Sequence, residues 1–358
     1  MSHVSEALEF PCGRQARNRW MLAPMTNCQS LDNGAPSPAD FHWLEMRAQG
    51  GFGMVLSAAA YINPRGKGFP GQLGIDSDAL VPELSRLVQT LKQHDSLALV
   101  QLYHAGLRAL PEAGDQLLAP SDDETTGARA LTNTEVYACI EEFIAGAERA
   151  QRAGFDGVEL HAAHTYLLHE FISSDFNRRE DEFGGSAENR CRALISILQG
   201  VRQRCGADFI VGVRLSPEAL MISQDEAMDA YRRIIASETV DFIDLSMWDV
   251  RKQPAEEAYV GRALLDYYAE IPRGAVKLGV AGKLYSAADA AWALDNGADF
   301  VLPGRGAILH HDFPLRAEND PEFSSIALPV SAQYLRREGL GEAFIRYIEG
   351  QWPDFIAG

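Results

Sequence analysis

Short apolar runs rich in β-branched residues alternate with longer amphipathic stretches, and this alternation constrains the fold more than any other feature. Eight runs are predicted strands, at 20–25, 53–59, 97–102, 157–161, 209–215, 242–246, 275–279 and 300–303. Predicted helices lie between them, at 38–49, 80–94, 134–153, 188–205, 224–237 and 286–296. Within 134–153, Val136, Ile140, Phe143 and Ala147 share one helical face. The order strand–helix–strand predicts a parallel sheet covered by helices.

A closed (β/α)₈ barrel (TIM barrel) explains why these strands are apolar on both faces, since closure buries every strand. An open doubly wound sheet is the alternative, but no G-x-G-x-x-G motif follows the first strand. We expect a single α/β domain over 1–358, with the barrel at about 18–315 and a C-terminal extension at about 316–358. Long βα insertions are expected at 104–133 and 247–273. Three polar residues near helix starts are expected N-caps: Asp40, Asn133 and Ser286.

The charge and cysteine content exclude several function classes. With 50 acidic and 32 basic residues the net charge is −18, so nucleic acid and anionic membrane surfaces are not expected partners. The five cysteines are scattered and form no C-x-x-C pair, which disfavours a disulfide framework or a zinc or iron–sulfur site. Since the first residues lack a signal-peptide pattern and no apolar run approaches about 20 residues, we expect a cytoplasmic protein.

Polar residues at the ends of the predicted strands are the candidates for chemistry, because βα loops converge at one mouth of a barrel. These residues are Thr26, Gln101, Tyr103, His104, His161, His164, Tyr166, Arg214 and Arg305. Gly282 and Gly304 follow the last two strands, where free backbone N–H groups and a helix start commonly bind phosphate. Arg305 can add a charge-assisted hydrogen bond. The alternative is that both glycines only make tight turns.

His161 and His164 form a closely spaced pair on the fourth predicted strand and its loop. A zinc site needs a third ligand, and no cysteine or carboxylate accompanies the pair at the usual spacing. We therefore favour two donors to an anionic or carbonyl oxygen over a metal site or purely structural hydrogen bonds. Tyr166, two residues on, can supply a proton from the same loop, or it can be a buried tyrosine with a satisfied hydroxyl.

In this order these residues resemble the Old Yellow Enzyme family of FMN-dependent ene-reductases, from residue 18 to about residue 313. The resemblance is carried by Asn18-Arg19-Trp20-Met21-Leu22-Ala23-Pro24-Met25-Thr26, by Gln101-Leu102-Tyr103-His104-Ala105-Gly106, by residues 154–166 with His161 and His164, by His169-Glu170-Phe171, by Asn177-Arg178-Arg179, and by Phe183-Gly184-Gly185-Ser186 with Glu188-Asn189-Arg190.

The resemblance implies FMN across the barrel mouth, with its phosphate on Gly282, Gly304 and Arg305. Arg214 is then expected beside flavin N1 and C2=O, where a cation favours the reduced anion. The other implied flavin contacts are Ala23, Pro24, Met25, Thr26, Ala59 and Gln101.

The resemblance also implies two hydride transfers through flavin N5 in a ping-pong cycle. NADPH or NADH reduces the flavin and leaves, and an α,β-unsaturated carbonyl compound or nitroalkene then takes its place. His161 and His164 would hold the substrate oxygen, and Tyr166 would protonate the α-carbon. Further candidates for the substrate pocket are Cys28, Tyr61, Tyr103 and Trp248.

Two other functions stay open at this point. A cofactor-free barrel lyase or aldolase would need a Schiff-base lysine, for which Lys277 is the best-placed candidate. A non-catalytic flavin-binding protein is the second. Aromatic residues of the C-terminal extension, among them Tyr334, Tyr347 and Trp352, suggest a homo-oligomer interface.

Overall fold

Strands form where the sequence has its apolar runs, in a computed structural model that describes residues 3–110 and 116–357. We number the strands of the main sheet in chain order. They are β1 (Met21–Leu22), β2 (Met54–Tyr61), β3 (Leu97–Tyr103), β4 (Gly157–Ala162), β5 (Ile210–Leu215), β6 (Phe242–Ser246), β7 (Lys277–Ala281) and β8 (Phe300–Val301).

Each of these strands pairs in parallel with the next one along the chain. The first and last strands then meet through a parallel bridge between Trp20 and Val301. At this seam the Val301 N–H donates to the Arg19 carbonyl at 3.0 Å, and the Ala23 N–H donates to the Pro303 carbonyl at 3.3 Å. The (β/α)₈ barrel is therefore confirmed, with its first and last strands joined through this bridge.

Four strand predictions missed an end by two residues or more, among them that of β2, which runs on to Tyr61 instead of ending at residue 59. β1 and β8 have only two residues each instead of 20–25 and 300–303, because Pro24 and Pro303 have no N–H to continue the ladder. β7 begins at Lys277, two residues later than predicted, and runs on to Ala281. The predicted ends therefore erred most where proline interrupts the pairing.

The helices surround the barrel and follow the predicted order. They are α1 (Pro38–Gln49), α2 (Val81–Lys92), α3 (Asn133–Ala153), α4 (Leu167–Ile172), α5 (Ala187–Cys205), α6 (Gln224–Ala236), α7 (Leu264–Ala269), α8 (Ala287–Asp295), α9 (Arg305–Leu309), α10 (Phe313–Asn319), α11 (Ala332–Arg337) and α12 (Glu342–Gln351). In the described ranges, none of these helices has the length and apolarity to cross a membrane.

Helix N-caps were predicted correctly at one position and wrongly at two. Ser286 caps α8 as expected. Ser37 caps α1, and Asp40 is the third helical residue, whose carboxylate accepts from the Ser37 backbone N–H at 2.9 Å. Thr132 caps α3 in the same way with Glu135, so Asn133 is the first helical residue. Both are capping boxes, in which the hydroxyl residue is the N-cap and the acidic residue stands three positions later.

The long insertions carry short elements of their own. Residues 104–133 hold a 3₁₀ turn, Gly106–Arg108, and a pair of parallel two-residue strands, Leu118–Ala119 and Arg129–Ala130. Positions 111–115 of this predicted insertion lie outside the described residues. Residues 247–273 hold a 3₁₀ turn, Glu257–Tyr259, and α7.

An N-terminal hairpin, formed by the antiparallel strands Leu8–Glu9 and Gln15–Ala16, closes the barrel at the N-terminal ends of its strands. Phe10 from this hairpin packs against Phe242 and Phe300, with ring centroids 5.9 and 6.3 Å apart. We call this hairpin, together with Phe242 and Phe300 packed against its Phe10, the floor. The opposite end, where the strands terminate, is the mouth.

Candidate active site

Two adjoining cavities occupy the mouth of the barrel. The larger has a volume of about 320 Å³ and the smaller about 220 Å³. They share six wall residues, which are Pro24, Met25, His164, Arg214, Trp248 and Trp352. Because so much of the wall is common, the two form one continuous site across the strand ends.

Most of the residues that the sequence singles out line this site. The ten candidate cofactor contacts all do: Ala23, Gly282, Gly304 and Arg305 in the smaller cavity, Thr26, Ala59 and Gln101 in the larger, and Pro24, Met25 and Arg214 in both. His161, His164, Tyr166, Tyr103 and Trp248 line the larger cavity.

Cys28 and Tyr61 are not among the wall residues of either cavity. The Tyr61 hydroxyl lies against the backbone of Gly34 and Gly74, where a Cβ on either glycine would come within 2.8 Å of it. Burial raises the pKa of the Cys28 thiol to about 11, so this thiol stays protonated and unreactive near neutral pH.

Gly282 shapes the smaller cavity because its neighbours leave no room for a side chain. A Cβ at this position would lie 2.7 Å from the Asp249 nitrogen and 2.8 Å from the Trp248 carbonyl carbon. The turn after β7 therefore packs backbone against backbone. Arg305 reaches the same cavity after β8, with its guanidinium 5.5 Å from the centre of the Tyr285 ring.

A buried charged cluster underlies the larger cavity. The guanidinium of Arg214 lies 3.1 Å from an Asp244 carboxylate oxygen and donates to the Ser246 hydroxyl at 3.3 Å. Gln101 donates its amide N–H to Glu159 at 2.7 Å. The Arg214 Nε has no hydrogen-bond partner within the described residues, which leaves a buried donor for a ligand.

The two carboxyl groups of this cluster share a single cation. Glu159 and Asp244 are both buried, and burial raises the pKa of each, while Arg214 opposes the rise. For Glu159 the charge on Asp244 adds to the effect of burial and raises the pKa to about 8. At neutral pH the cluster therefore keeps one proton between its two acids, because two buried anions beside one guanidinium repel each other.

His161, His164 and Tyr166 come together beside Tyr103. The ring centroid of His161 lies 5.0 Å from that of His164 and 5.0 Å from that of Tyr166. Tyr103 meets the Tyr166 ring edge-on at 4.5 Å. The loop that carries the second histidine is bent sharply, since His164 and Thr165 both have φ near +60°.

A hydrogen bond fixes the tautomer of His161, whereas His164 is held through its Nε2. The Ala163 N–H donates to His161 Nδ1 at 3.3 Å, so the ring proton is on Nε2. Ser246 Oγ lies 2.7 Å from His164 Nε2, and either atom can be the donor, because a hydroxyl that accepts from Arg214 has a second lone pair for an N–H. Burial holds the pKa of both imidazoles well below the ordinary value. Both rings are therefore neutral hydrogen-bond donors.

The C-terminal extension contributes part of the wall. Tyr347, Gln351 and Trp352, in and just after α12, line the larger cavity. Phe344 anchors the helix against Trp43 of α1, with ring centroids 5.0 Å apart. Two of the aromatic residues that suggested an oligomer interface thus serve the chain's own site, and oligomerisation stays a prediction.

Sequence reasoning missed several residues of the site, Ser246, Tyr347 and Trp352 among them. Glu159 and Asp244 had a usable signal, because each is the lone carboxylate in a mostly apolar strand. Leu220 and Gln351 also line the larger cavity, and nothing in their sequence neighbourhood indicated it.

Lys277 was wrongly placed as a catalytic candidate. It is the first residue of β7 and pairs with Phe242, the first residue of β6. Because Phe242 belongs to the floor, the lysine backbone lies at the opposite end of the barrel from the mouth. No Schiff-base chemistry at the cavities is open to it.

The profile of the NADH:flavin oxidoreductase / NADH oxidase family matches residues 13–322. The chain belongs to this family. It is 32% identical over 328 residues to a probable NADH-dependent flavin oxidoreductase of Bacillus subtilis, with 88% of each chain covered. It is also 32% identical to the NADH:fumarate oxidoreductase of Klebsiella pneumoniae, but there it covers 87% of itself and only 36% of the relative. The chain thus spans about a third of that longer protein.

Solved structures place the chain among Old Yellow Enzymes. The Old Yellow Enzyme homologue of Zymomonas mobilis superposes with a TM-score of 0.79 at 27% identity, covering 93% of this chain and 96% of that one. Morphinone reductase superposes equally well at 25% identity. The protein is therefore an NAD(P)H-dependent flavin oxidoreductase of the Old Yellow Enzyme family that uses FMN.

The residues at the mouth fit FMN on this structure's own terms. Gly282 provides a turn that a side chain would block. Arg214 offers a buried unpartnered Nε, and Arg305 adds a cation in the smaller cavity. A flat ring system with an acidic edge and an anionic tail suits this set of donors.

Proposed function

We propose that this enzyme reduces carbon–carbon double bonds activated by a carbonyl or nitro group, with NADH or NADPH as the hydride donor. The observation that carries the proposal is the cluster of His161, His164 and Tyr166 in the same cavity as the candidate FMN contacts. Two neutral N–H donors beside one phenol suit a substrate that needs its oxygen held and one carbon protonated.

The histidines bind and polarise the substrate. In this proposal both donate to the same carbonyl or nitro oxygen, His161 from Nε2 and His164 from Nδ1, with the Ser246 hydroxyl donating to His164 Nε2. Because both rings are neutral and Ser246 and Ala163 hold their other nitrogens, they stabilise the negative charge that develops on that oxygen without giving up a proton. FMN, when bound, supplies the hydride for the β-carbon.

Tyr166 holds the proton for the α-carbon at its Oη. Its ring is fixed by the edge contact with Tyr103 and by Arg108, whose guanidinium lies 5.1 Å from its centre. Tyr347 and Trp352 cover part of the cavity and limit the access of water that would compete as a proton donor. The product gains one hydride and one proton across the former double bond.

Anaerobic stopped-flow measurements test the proposal. The flavin is first reduced with NADH or NADPH and then mixed with an enone, a maleimide or a nitroalkene. We expect rapid reoxidation by these alkenes, with formation of the saturated product. Reoxidation by molecular oxygen alone, with every alkene inert, would overturn the proposal.

Tyr166→Phe separates the two half-reactions. We expect reoxidation by an enone to slow by about 10²–10⁴-fold, the usual worth of a positioned general acid, while reduction by the nicotinamide stays within about twofold. Tyr137→Phe, on an exposed position of α3, is the matched control and changes neither rate. Equal slowing of both half-reactions by Tyr166→Phe contradicts the assigned role.

A further inference from the structure

The walls of the mouth are cationic although the protein is strongly acidic. The charged side chains that line the two cavities are Arg108, Arg214, Lys283 and Arg305. Over residues 3–110 and 116–357, no aspartate or glutamate is among the wall residues, whereas acidic residues outnumber basic ones 50 to 32 in the whole chain. Such a site attracts anions.

Two of these cations form ion pairs, and a third lines the smaller cavity. Arg214 is paired with Asp244 and Lys283 with Asp249, each at 3.1 Å. Arg305 lines the smaller cavity, where a phosphate is expected. Arg108 is different, because it lines only the larger cavity, on the side of the substrate-binding histidines.

Arg108 is held in place by its loop. One guanidinium nitrogen donates to the His164 carbonyl at 3.1 Å, and the group lies over the Tyr166 ring. The preceding residue is anchored as well, since the Leu107 N–H donates to the buried Glu170 carboxyl group at 2.8 Å. Gly106 makes this possible: its φ is +59°, and a Cβ there would lie 2.3 Å from Glu170.

Tyr166 contacts both groups that can bind a substrate. Its ring centre is 5.0 Å from that of His161 and 5.1 Å from the Arg108 guanidinium. A short molecule with an oxygen on the histidines and an anion on Arg108 would therefore pass close to the proton donor. Arginine suits a carboxylate, which it binds through parallel N–H bonds.

We propose that Arg108 selects alkenes that carry a carboxylate in addition to the activating carbonyl group, an inference that rests on the proposed reduction of activated alkenes. In a 4-oxo-2-enoate the ketone oxygen binds the histidines and the carboxylate binds Arg108. Hydride adds to C2 and the Tyr166 proton to C3, the π bond between them is consumed, and the carboxylate leaves unchanged.

A matched pair of substrates tests this selection. The kcat/KM values of trans-4-oxopent-2-enoate and its methyl ester are compared in the parent enzyme, Arg108→Gln, Arg108→Lys and the exposed control Arg86→Gln. We expect the parent to favour the acid, and Arg108→Gln to lower the acid-to-ester ratio by about 3–30-fold, mostly through KM, since an exposed ion pair is partly screened. Arg108→Lys should retain part of the preference, and Arg86→Gln all of it.

Ligand binding keeps this test separate from the test of alkene reduction. The affinities of 4-hydroxybenzoate and methyl 4-hydroxybenzoate are measured from changes in flavin absorbance, which need no turnover. If neither oxo-compound is reduced, the proposed function fails, but a preference for the benzoate that Arg108→Gln abolishes still supports a carboxylate site. An acid-to-ester ratio that Arg108→Gln leaves unchanged overturns the inference, and a rise in KM for NADH or NADPH alone would assign Arg108 to the dinucleotide instead.

Discussion

The floor and the mouth of this barrel are built from the same eight strands by opposite means. At the floor, Phe300 meets Phe10 and Phe242 edge-on in an apolar cluster sealed by the N-terminal hairpin. At the mouth, the same strands end in histidines, a glutamine and an arginine with open hydrogen-bonding groups. One end buries apolar surface to stabilise the fold, whereas the other leaves donors ready for ligands.

The two ends therefore contribute to different free energies: the floor to that of folding and the mouth to that of ligand binding. Between the two ends lie Glu159 and Asp244, buried side chains that carry acidic groups into the barrel interior. Substitutions at the floor are therefore expected to change stability, substitutions at the mouth to change ligand affinity, and substitutions between them to change both in a pH-dependent way.

The largest expected effect is at the floor. Phe242→Ala should lower the free energy of unfolding by about 3–5 kcal/mol, because it opens a cavity in a fully packed cluster. FMN affinity of the folded protein should stay within about threefold. Thermal unfolding and flavin titration measure the two quantities. Phe41→Ala, at a partly buried phenylalanine of α1, is a control for which we expect a smaller loss of stability. A variant with normal stability and lost FMN affinity would refute the separation of the two ends.

Arg305→Gln reverses the pattern at the mouth. Losing a charge-assisted bond to phosphate should weaken FMN binding by about 10–100-fold. The melting temperature of the FMN-free protein should hardly change, since no ion pair to Arg305 is present within the described residues. Equilibrium dialysis with FMN and with riboflavin gives the measurement. Equal weakening for both flavins would show that Arg305 does not bind the phosphate.

The smallest and most selective effect is expected between the two ends. Burial and Asp244 raise the pKa of Glu159 above its ordinary 4.5 to about 8. The folded state is therefore fully stable with respect to this group below pH 4.5, where Glu159 is protonated both folded and unfolded. It loses stability as the pH rises toward 8, because the unfolded chain then releases the proton more readily. The glutamine of Glu159→Gln cannot ionise. The melting temperature of the variant minus that of the parent should therefore increase by roughly a few degrees between pH 5 and pH 9.

The exposed variant Glu349→Gln is the control for this pH series. Glu349 is exposed on α12, far along the chain from the buried cluster, and its difference from the parent should stay constant. A constant difference for Glu159→Gln as well would mean that the buried cluster holds its proton on Asp244 across this range.

The sequence predicted the barrel because its information is local and periodic. An apolar run indicates each strand, and an apolar face such as that of 134–153 indicates each helix. The prediction failed at β1 and β8, where Pro24 and Pro303 end the pairing early. It also failed at two helix N-caps, which are Ser37 and Thr132 and not the predicted residues that follow them.

Much of the candidate site was also within reach of sequence, because residues at strand ends converge whatever the loops do. Gln101, His161 and Arg214 are of this kind. Leu220 and Gln351 are not, since they reach the cavity through loop and helix packing that no local pattern encodes. Lys277 shows the converse error, in which a residue in the right strand lies at the wrong end of it.

The placement of Tyr347 and Trp352 has a consequence for the order of biosynthesis. Both follow all eight strands in the chain, and a chain emerges from the ribosome from its N-terminus. A barrel formed before these residues emerge therefore lacks this part of its cavity wall. FMN that arrives during synthesis meets a more open site than FMN offered to the completed enzyme, so reconstitution of purified apoprotein should be the slower of the two routes.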